Sequence, residues 1–184
     1  MAILEIRKYG DPVLREKAAP VNGASDDLRA FLHDMAETMY AANGIGLAAN
    51  QVGDLRRVLV IDPGEEERDK RPARTPNPQF FLNPEILDSS TEDGPYTEGC
   101  LSIPELEGEV YRPLKIRLRW TTLDGETREA DFDGITSRVL QHEIDHLDGI
   151  LFIDHMGTVK RKLLAGKLNK LRRETEARMA ESRS

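Results

Sequence analysis

The chain is poor in the features that mark exported and membrane proteins. Cys100 is the sole cysteine among 184 residues, so a disulfide-stapled secreted scaffold is excluded. No apolar run approaches the roughly 18 residues that a membrane-spanning helix needs, so no membrane association is expected. The opening residues, MAILEIRKYGDPVL, carry acid and base from the fifth position onward and lack the apolar stretch of a secretory signal. A lone thiol without an export signal points to a cytoplasmic, reducing compartment. Aromatics are scarce at 5%, yet hydrophobic residues reach 39% and charged residues 32%, a composition that folds. The length suits one domain, since domains run to about 100–200 residues.

Charge is unevenly spread. The net charge is −7, but residues 160–184 hold nine Lys/Arg against three Glu. An acidic body with a basic tail argues against DNA binding and leaves room for a local cationic contact. Apolar spacing predicts a helix over about 26–42, with Ser25 or Asp26 as cap, Asn43-Gly44 as stop and His33 on the solvated face. Residues 57–62 read as a buried strand, 62–79 as an exposed charged loop, and 80–87 as a strand interrupted by Pro84. Residues 96–104 read as one extended segment. Residues 115–123 alternate, Asp124-Gly125 signals a hairpin turn, and 127–132 return antiparallel. A buried helix is expected from Gly134 to about Asp148. A polar helix follows over about 158–180, with Leu163, Leu164, Leu168 and Leu171 as its docking stripe. Strands followed by helices indicate an α+β fold. Residues 1–157 form the expected catalytic domain and 158–184 a basic C-terminal helix, within that domain or appended to it.

The chemistry concentrates in His142-Glu143-Ile144-Asp145-His146. Two histidines at i and i+4 share a helix face and can aim ring nitrogens at one ion, with Glu143 placed to reach a water beside it. Two buried histidines serving only the core would satisfy the same spacing. A metal site needs a third ligand. Phe152 stands where a zincin with the longer HExxHxxGxxH pattern carries its third histidine. His155 lies past the helix end and would require the chain to double back. Cys100 follows a glycine and is flanked by Glu98 and Ser102, a polar setting that favours ligation over packing. A Cys–His–His set leaves one position open for water.

Three ordered segments, GIGLAANQVG at 44–53, EGCLS at 98–102 and QHEIDH at 141–146, resemble the signature motifs of the peptide deformylases, and Gly10–Arg15 resembles that family's N-terminal segment. The resemblance implies an α+β fold with antiparallel sheets around a central metal-binding helix. It implies hydrolysis of the formyl group from the N-terminal formyl-methionine of new polypeptides. It implies one divalent metal held by Cys100, His142 and His146, usually Fe(2+), replaceable by Zn(2+), Ni(2+) or Co(2+). Metal-activated water is then the nucleophile and Glu143 the general base and acid. Gln51 and the Leu101 amide become oxyanion donors, and Ile45, Gly46, Gly99 and Glu98 substrate-binding residues. Formyl-methionyl nascent peptides are the implied partners, and the ribosome is a further one through the basic helix.

The sequence departs from the family pattern at Asn50, where proline or a small residue is common, with little effect expected. Arg138 stands where an apolar residue lines the methionine pocket in some relatives, and Glu107 and Glu109 make the segment after EGCLS acidic. Three rival readings differ in what they require. An endopeptidase needs a third His or Glu ligand and a long cleft. A non-catalytic ribosomal module would have lost Glu143, Cys100 or Gln51. A thiol hydrolase with Cys100 as nucleophile leaves Glu143 and His146 without roles.

Overall fold

The computed structural model describes residues 2–64 and 75–184. The middle of the expected 62–79 loop therefore lies outside the described residues. Helix α1 spans Asp26–Ala41. Ser25 caps it by accepting the Leu28 amide at 3.2 Å, and Asn43, at φ 56°, ends it. Seven strands follow: β1 (Gly46–Ala48), β2 (Val58–Ile61), β3 (Gln79–Ser89), β4 (Asp93–Cys100), β5 (Ile103–Pro113), β6 (Ile116–Thr121) and β7 (Thr127–Phe132). Helix α2 is Gly134–Leu147 and helix α3 is Thr158–Glu181. The seven strands pair antiparallel, and one isolated parallel bridge joins Ala19 to Arg56. One sheet runs β1-β2-β3-β6-β7, and β4-β5 stands apart as a two-stranded hairpin.

Strand β2 shows why this sheet sits between two helices. Its four residues, Val-Leu-Val-Ile, have no polar face because both faces are covered. Leu59 and Ile61 pack with Val139, Leu140, Ile144 and Leu147 of α2. Val58 and Val60 pack with Leu32, Met35 and Met39 of α1. Each such side chain, fully buried, contributes about 1.5–3 kcal/mol of transfer free energy. The α2 surface remote from the sheet is thereby turned toward the β4-β5 hairpin.

The hairpin is where the sequence reading falls short. Residues 96–104 are not one extended segment. The chain turns at 101–102, and β5 continues to Pro113. Its pattern is hidden because Gly99 pairs with Glu107 while Cys100 pairs with Ile103, so extra β5 residues bulge between them and Glu105 adopts φ 64°. Pro84 is accommodated similarly. A register shift separates Leu82 from Glu85, and Asn83, at φ 49°, bonds the Val21 backbone through both side-chain atoms at 2.8 Å.

Helix α3 docks less completely than its leucines suggest. Leu168 is buried, with Leu164 and Leu171 beside it, against Ile103, Val110 and Phe152. Leu163 is not part of the seam; it is 79% exposed. A Cβ on Gly10 would lie 2.9 Å from the Arg172 carbonyl oxygen, so α3 also rests directly on the N-terminal segment.

Gly149 closes α2 at φ 73°, and a Cβ there would fall 2.5 Å from the Arg15 carbonyl oxygen. Both the positive φ and the backbone contact exclude a side chain. Gly149→Ala is expected to cost roughly 2–4 kcal/mol, read as a lower denaturant midpoint at unchanged slope. A midpoint within error of the parent would contradict this account of the helix stop.

Candidate metal centre

Three donors converge from two elements. His142 and His146 lie one turn apart on one face of α2, in line with Ile135 and Val139, and their Nε2 atoms are 3.3 Å apart. Cys100, the last residue of β4, brings its Sγ to 3.2 Å from His146 Nε2. The three donor atoms all lie within 4.8 Å of one another. Two nitrogens at roughly 2.0–2.1 Å from one tetrahedral ion stand about 3.3–3.4 Å apart, so this donor set fits a single cation. Among the described residues, Cys100, His142 and His146 form the one His/Cys/Asp/Glu group so arranged.

A buried charge network orients the first histidine. His142 Nδ1 donates to Glu98 Oε1 at 2.9 Å, leaving Nε2 to face the site. Arg112 grips the same carboxylate through Nε at 2.8 Å and Nη2 at 3.1 Å, and donates Nη1 to Asp145 at 2.7 Å. Burial disfavours a charged Glu98, but the His142 and Arg112 bonds outweigh it and hold its pKa at about 2. Burial likewise opposes a charged His142, yet its bonds with Cys100 and Glu98 raise its pKa well above 6.5. Burial and the His142 charge push His146 well below that value. The backbone positions His146 instead: the Asn50 amide donates to the His146 carbonyl.

Glu143 faces the cleft between α2 and the hairpin. It is 4% exposed, and its Oε2 has no hydrogen-bond partner among the described residues. Burial pushes its pKa up to about 7. Gln51 is fixed in one orientation, because its Oε1 accepts the Ala48 amide at 2.9 Å. Its Nε2 therefore points into the site, 3.2 Å from Ser102 Oγ and 3.6 Å from Cys100 Sγ. Leu101 packs over Gly44, where a Cβ would meet its Cδ1 at 2.7 Å, and its carbonyl accepts Lys8 Nζ at 2.8 Å. These groups line an open cavity of about 800 Å³ with Ile45, Gly46 and Gly99 on its walls.

A polypeptide deformylase family model matches residues 3–162. The chain is 47% identical over 186 residues to a peptide deformylase of Novosphingobium aromaticivorans, an alignment covering 94% of this chain and 99% of that one. It is 50% identical to one from Rhizorhabdus wittichii, covering 96% and 99%. Among solved structures, a Plasmodium falciparum peptide deformylase superposes with a TM-score of 0.85 at 38% identity, covering 94% of this chain and 98% of that one. The chain belongs to the peptide deformylase family. It is a metallo-hydrolase acting on a linear amide, and Cys100, His142 and His146 are its metal-binding group.

The structure gathers Glu143, Gln51, Leu101, Ile45, Gly46 and Gly99 around the deformylase cleft. Glu98 differs from the sequence reading, which grouped it with the substrate-binding residues. It lines the cavity, and its carboxylate is taken up by Arg112 and His142. Arg138 lines the cavity, and its guanidinium donates to the Val110 and Gly94 carbonyls at 3.1 and 2.6 Å, tying α2 to both hairpin strands. His155 bonds Asp145 at 2.8 Å and is not a ligand. Arg112 was missed altogether, since nothing around it in VYRPLK marks a buried cation. Lys8 was missed because its role depends on a contact 93 residues away. No helix of the described residues is long and apolar enough to cross a membrane.

A Cβ on Gly46 would sit 2.5 Å from Glu143 Oε1 and 2.9 Å from its Cγ. Gly46→Ala must therefore displace the Glu143 side chain. It is expected to lower kcat by about 100-fold while bound metal stays stoichiometric, because small misplacements of reacting groups cost about that much. Retained kcat, or metal lost in parallel with activity, would show that Gly46 does not set the Glu143 position.

Proposed function

We propose that the protein removes the formyl group from formyl-methionyl nascent peptides in the cytoplasm, with Fe(2+) as its native metal and Glu143 as the proton carrier. The observation behind this reading is a buried, unpartnered Glu143 carboxylate beside a three-donor metal set in one cleft. A divalent cation held by Cys100, His142 and His146 supplies acidity to the attacking water, whose pKa falls from 15.7 toward about 7. Thiolate and imidazole donors suit Fe(2+), Zn(2+), Ni(2+) and Co(2+) alike.

Everything else is the work of the chain's own side chains. Glu143 takes the water proton as the oxygen bonds the formyl carbon. The former carbonyl oxygen gains negative charge, and the Gln51 Nε2–H and Leu101 N–H donate to it. Gln51 suits this role because the Ala48 bond prevents its amide from turning its oxygen inward. Collapse breaks the C–N bond, Glu143 returns its proton to the departing amine, and formate and the free methionyl amine result. Ile45, Gly46 and Gly99 are placed to pair with an extended peptide backbone.

Glu143→Ala tests this assignment. Anaerobically purified parent and variant should hold equal metal, with iron in the parent, and only the parent should deformylate a formyl-Met peptide. We expect a loss of at least about 1,000-fold in kcat, within the span general acid–base catalysis supplies. Substantial activity in the variant would remove Glu143 from the mechanism.

The proposal extends to the ribosome through α3. Its outward face carries Lys162, Lys167, Lys170 and Arg173, all exposed, and contacts with phosphates are salt-sensitive. Deleting α3 would also uncover Ile103, Val110 and Phe152, so charge neutralisation is the cleaner test. A K162Q/K167Q/K170Q/R173Q variant should lose low-salt co-sedimentation with ribosomes while small-peptide deformylation persists. Undiminished co-sedimentation would refute the role of this face.

A further inference from the structure

The charged side chains lining the cleft divide into committed and free groups. Lys8 donates to the Leu101 carbonyl, and Arg138 donates to the Val110 and Gly94 carbonyls. Glu98 is held by Arg112 and His142, and Glu143 belongs to the reaction. Glu105 and Glu107 remain. Both are exposed on the cavity wall, and neither has an ion pair or side-chain hydrogen bond among the described residues. Nearby Glu109, by contrast, is paired with Lys160 at 2.6 Å.

Their placement follows from the bulge that ends the hairpin. Glu107 stands directly across from Gly99 in the β4-β5 register. Gly99 has no Cβ, and its virtual Cβ position lies 3.6 Å from Glu107 Cγ. The Glu107 side chain therefore lies beside β4 at Gly99, on the cavity wall. Glu105 is carried to the same wall by its left-handed backbone. The buried, unpartnered Oε2 of Glu143 marks this cavity as the place where the scissile amide sits.

We infer that Glu105 and Glu107 are specificity-determining residues that favour formylated peptides carrying Lys or Arg in the two positions after methionine. The inference rests on the cleft being the formyl-peptide site. A peptide chain advances about 3.3 Å per extended residue, so the side chains after methionine pass along the wall next to Cys100. Two free carboxylates there attract ammonium and guanidinium groups and repel carboxylates. Neither residue touches the reacting atoms, so a neutral peptide is indifferent to them.

The test uses three C-terminally amidated peptides with the metal-loaded enzyme: formyl-Met-Lys-Lys, formyl-Met-Ala-Ala and formyl-Met-Glu-Glu. At low salt, kcat/KM should fall in that order, with about tenfold between the first and last. The ratio should contract toward unity at about 0.5 M salt, as screening demands. In E105Q/E107Q the ratio should approach unity while formyl-Met-Ala-Ala turnover is unchanged. An E37Q/E92Q control removes the same charge away from the cleft and should keep the parental ratio. Parental selectivity within twofold of unity, its persistence in E105Q/E107Q, or its equal loss in the control each overturns the inference. Absence of turnover on all three peptides would instead indict the formyl-peptide reading, so the two failures are distinguishable.

Discussion

The site depends on one buried carboxylate. Glu98 accepts His142 Nδ1 on one side and the Arg112 guanidinium on the other, and Arg112 continues to Asp145. These four residues come from β4, β5 and α2, so the network joins the small hairpin to the helix it faces. Together with the Arg138 bonds to Val110 and Gly94, it holds Cys100 at the end of β4 against the histidines on α2. Removing water from Glu98 and Arg112 costs several kcal/mol per ion, which their mutual contact and the surrounding hydrogen bonds offset. Losing either partner alone would leave an uncompensated buried charge, the costliest arrangement available to this core. The same network fixes which His142 nitrogen faces the donors, so it governs ligand orientation and hairpin docking together.

Close approach is the second constraint, and it accounts for the glycines that gather around the cleft. Gly44 admits Leu101, and Gly46 admits the Glu143 carboxylate. In each case the missing Cβ makes room for a side chain from another element. A substrate backbone needs the same openness, so one residue type serves both internal packing and access.

Much of this was legible in the sequence, for identifiable reasons. Helix α2 carries its metal residues and its core residues at helical spacing, and β6-β7 alternates around a turn signal, so local periodicity reveals both. The Cys–His–His set was legible because a lone cysteine in a polar setting and two histidines one turn apart suit a shared cation better than they suit apolar packing. Strand β5 was not legible, since a bulge and the left-handed Glu105 break its period. Arg112 and Lys8 were hidden because their significance lies in partners that only the tertiary fold supplies. Glu98 was placed in the right motif, two residues from Cys100, but its partners Arg112 and His142 come from other elements that the local sequence does not reveal. Asn50, expected to matter little, holds the backbone of the second histidine.

The two carboxylates nearest the donors illustrate how environment divides labour between like groups. Glu98 and Glu143 are equally buried, each 4% exposed. Burial alone would raise both. Glu98 has two strong donors and is held at about 2, ionised under all ordinary conditions. Glu143 has no such donor on Oε2, and its pKa rises to about 7, with the Glu98 charge adding to the effect of burial. One carboxylate therefore serves as a permanent anion that orients a ligand, and the other as a group able to exchange a proton near neutrality. The division follows from His142 and Arg112 donating hydrogen bonds to one carboxylate and not to the other, and Arg112 is delivered by a strand that the sequence conceals.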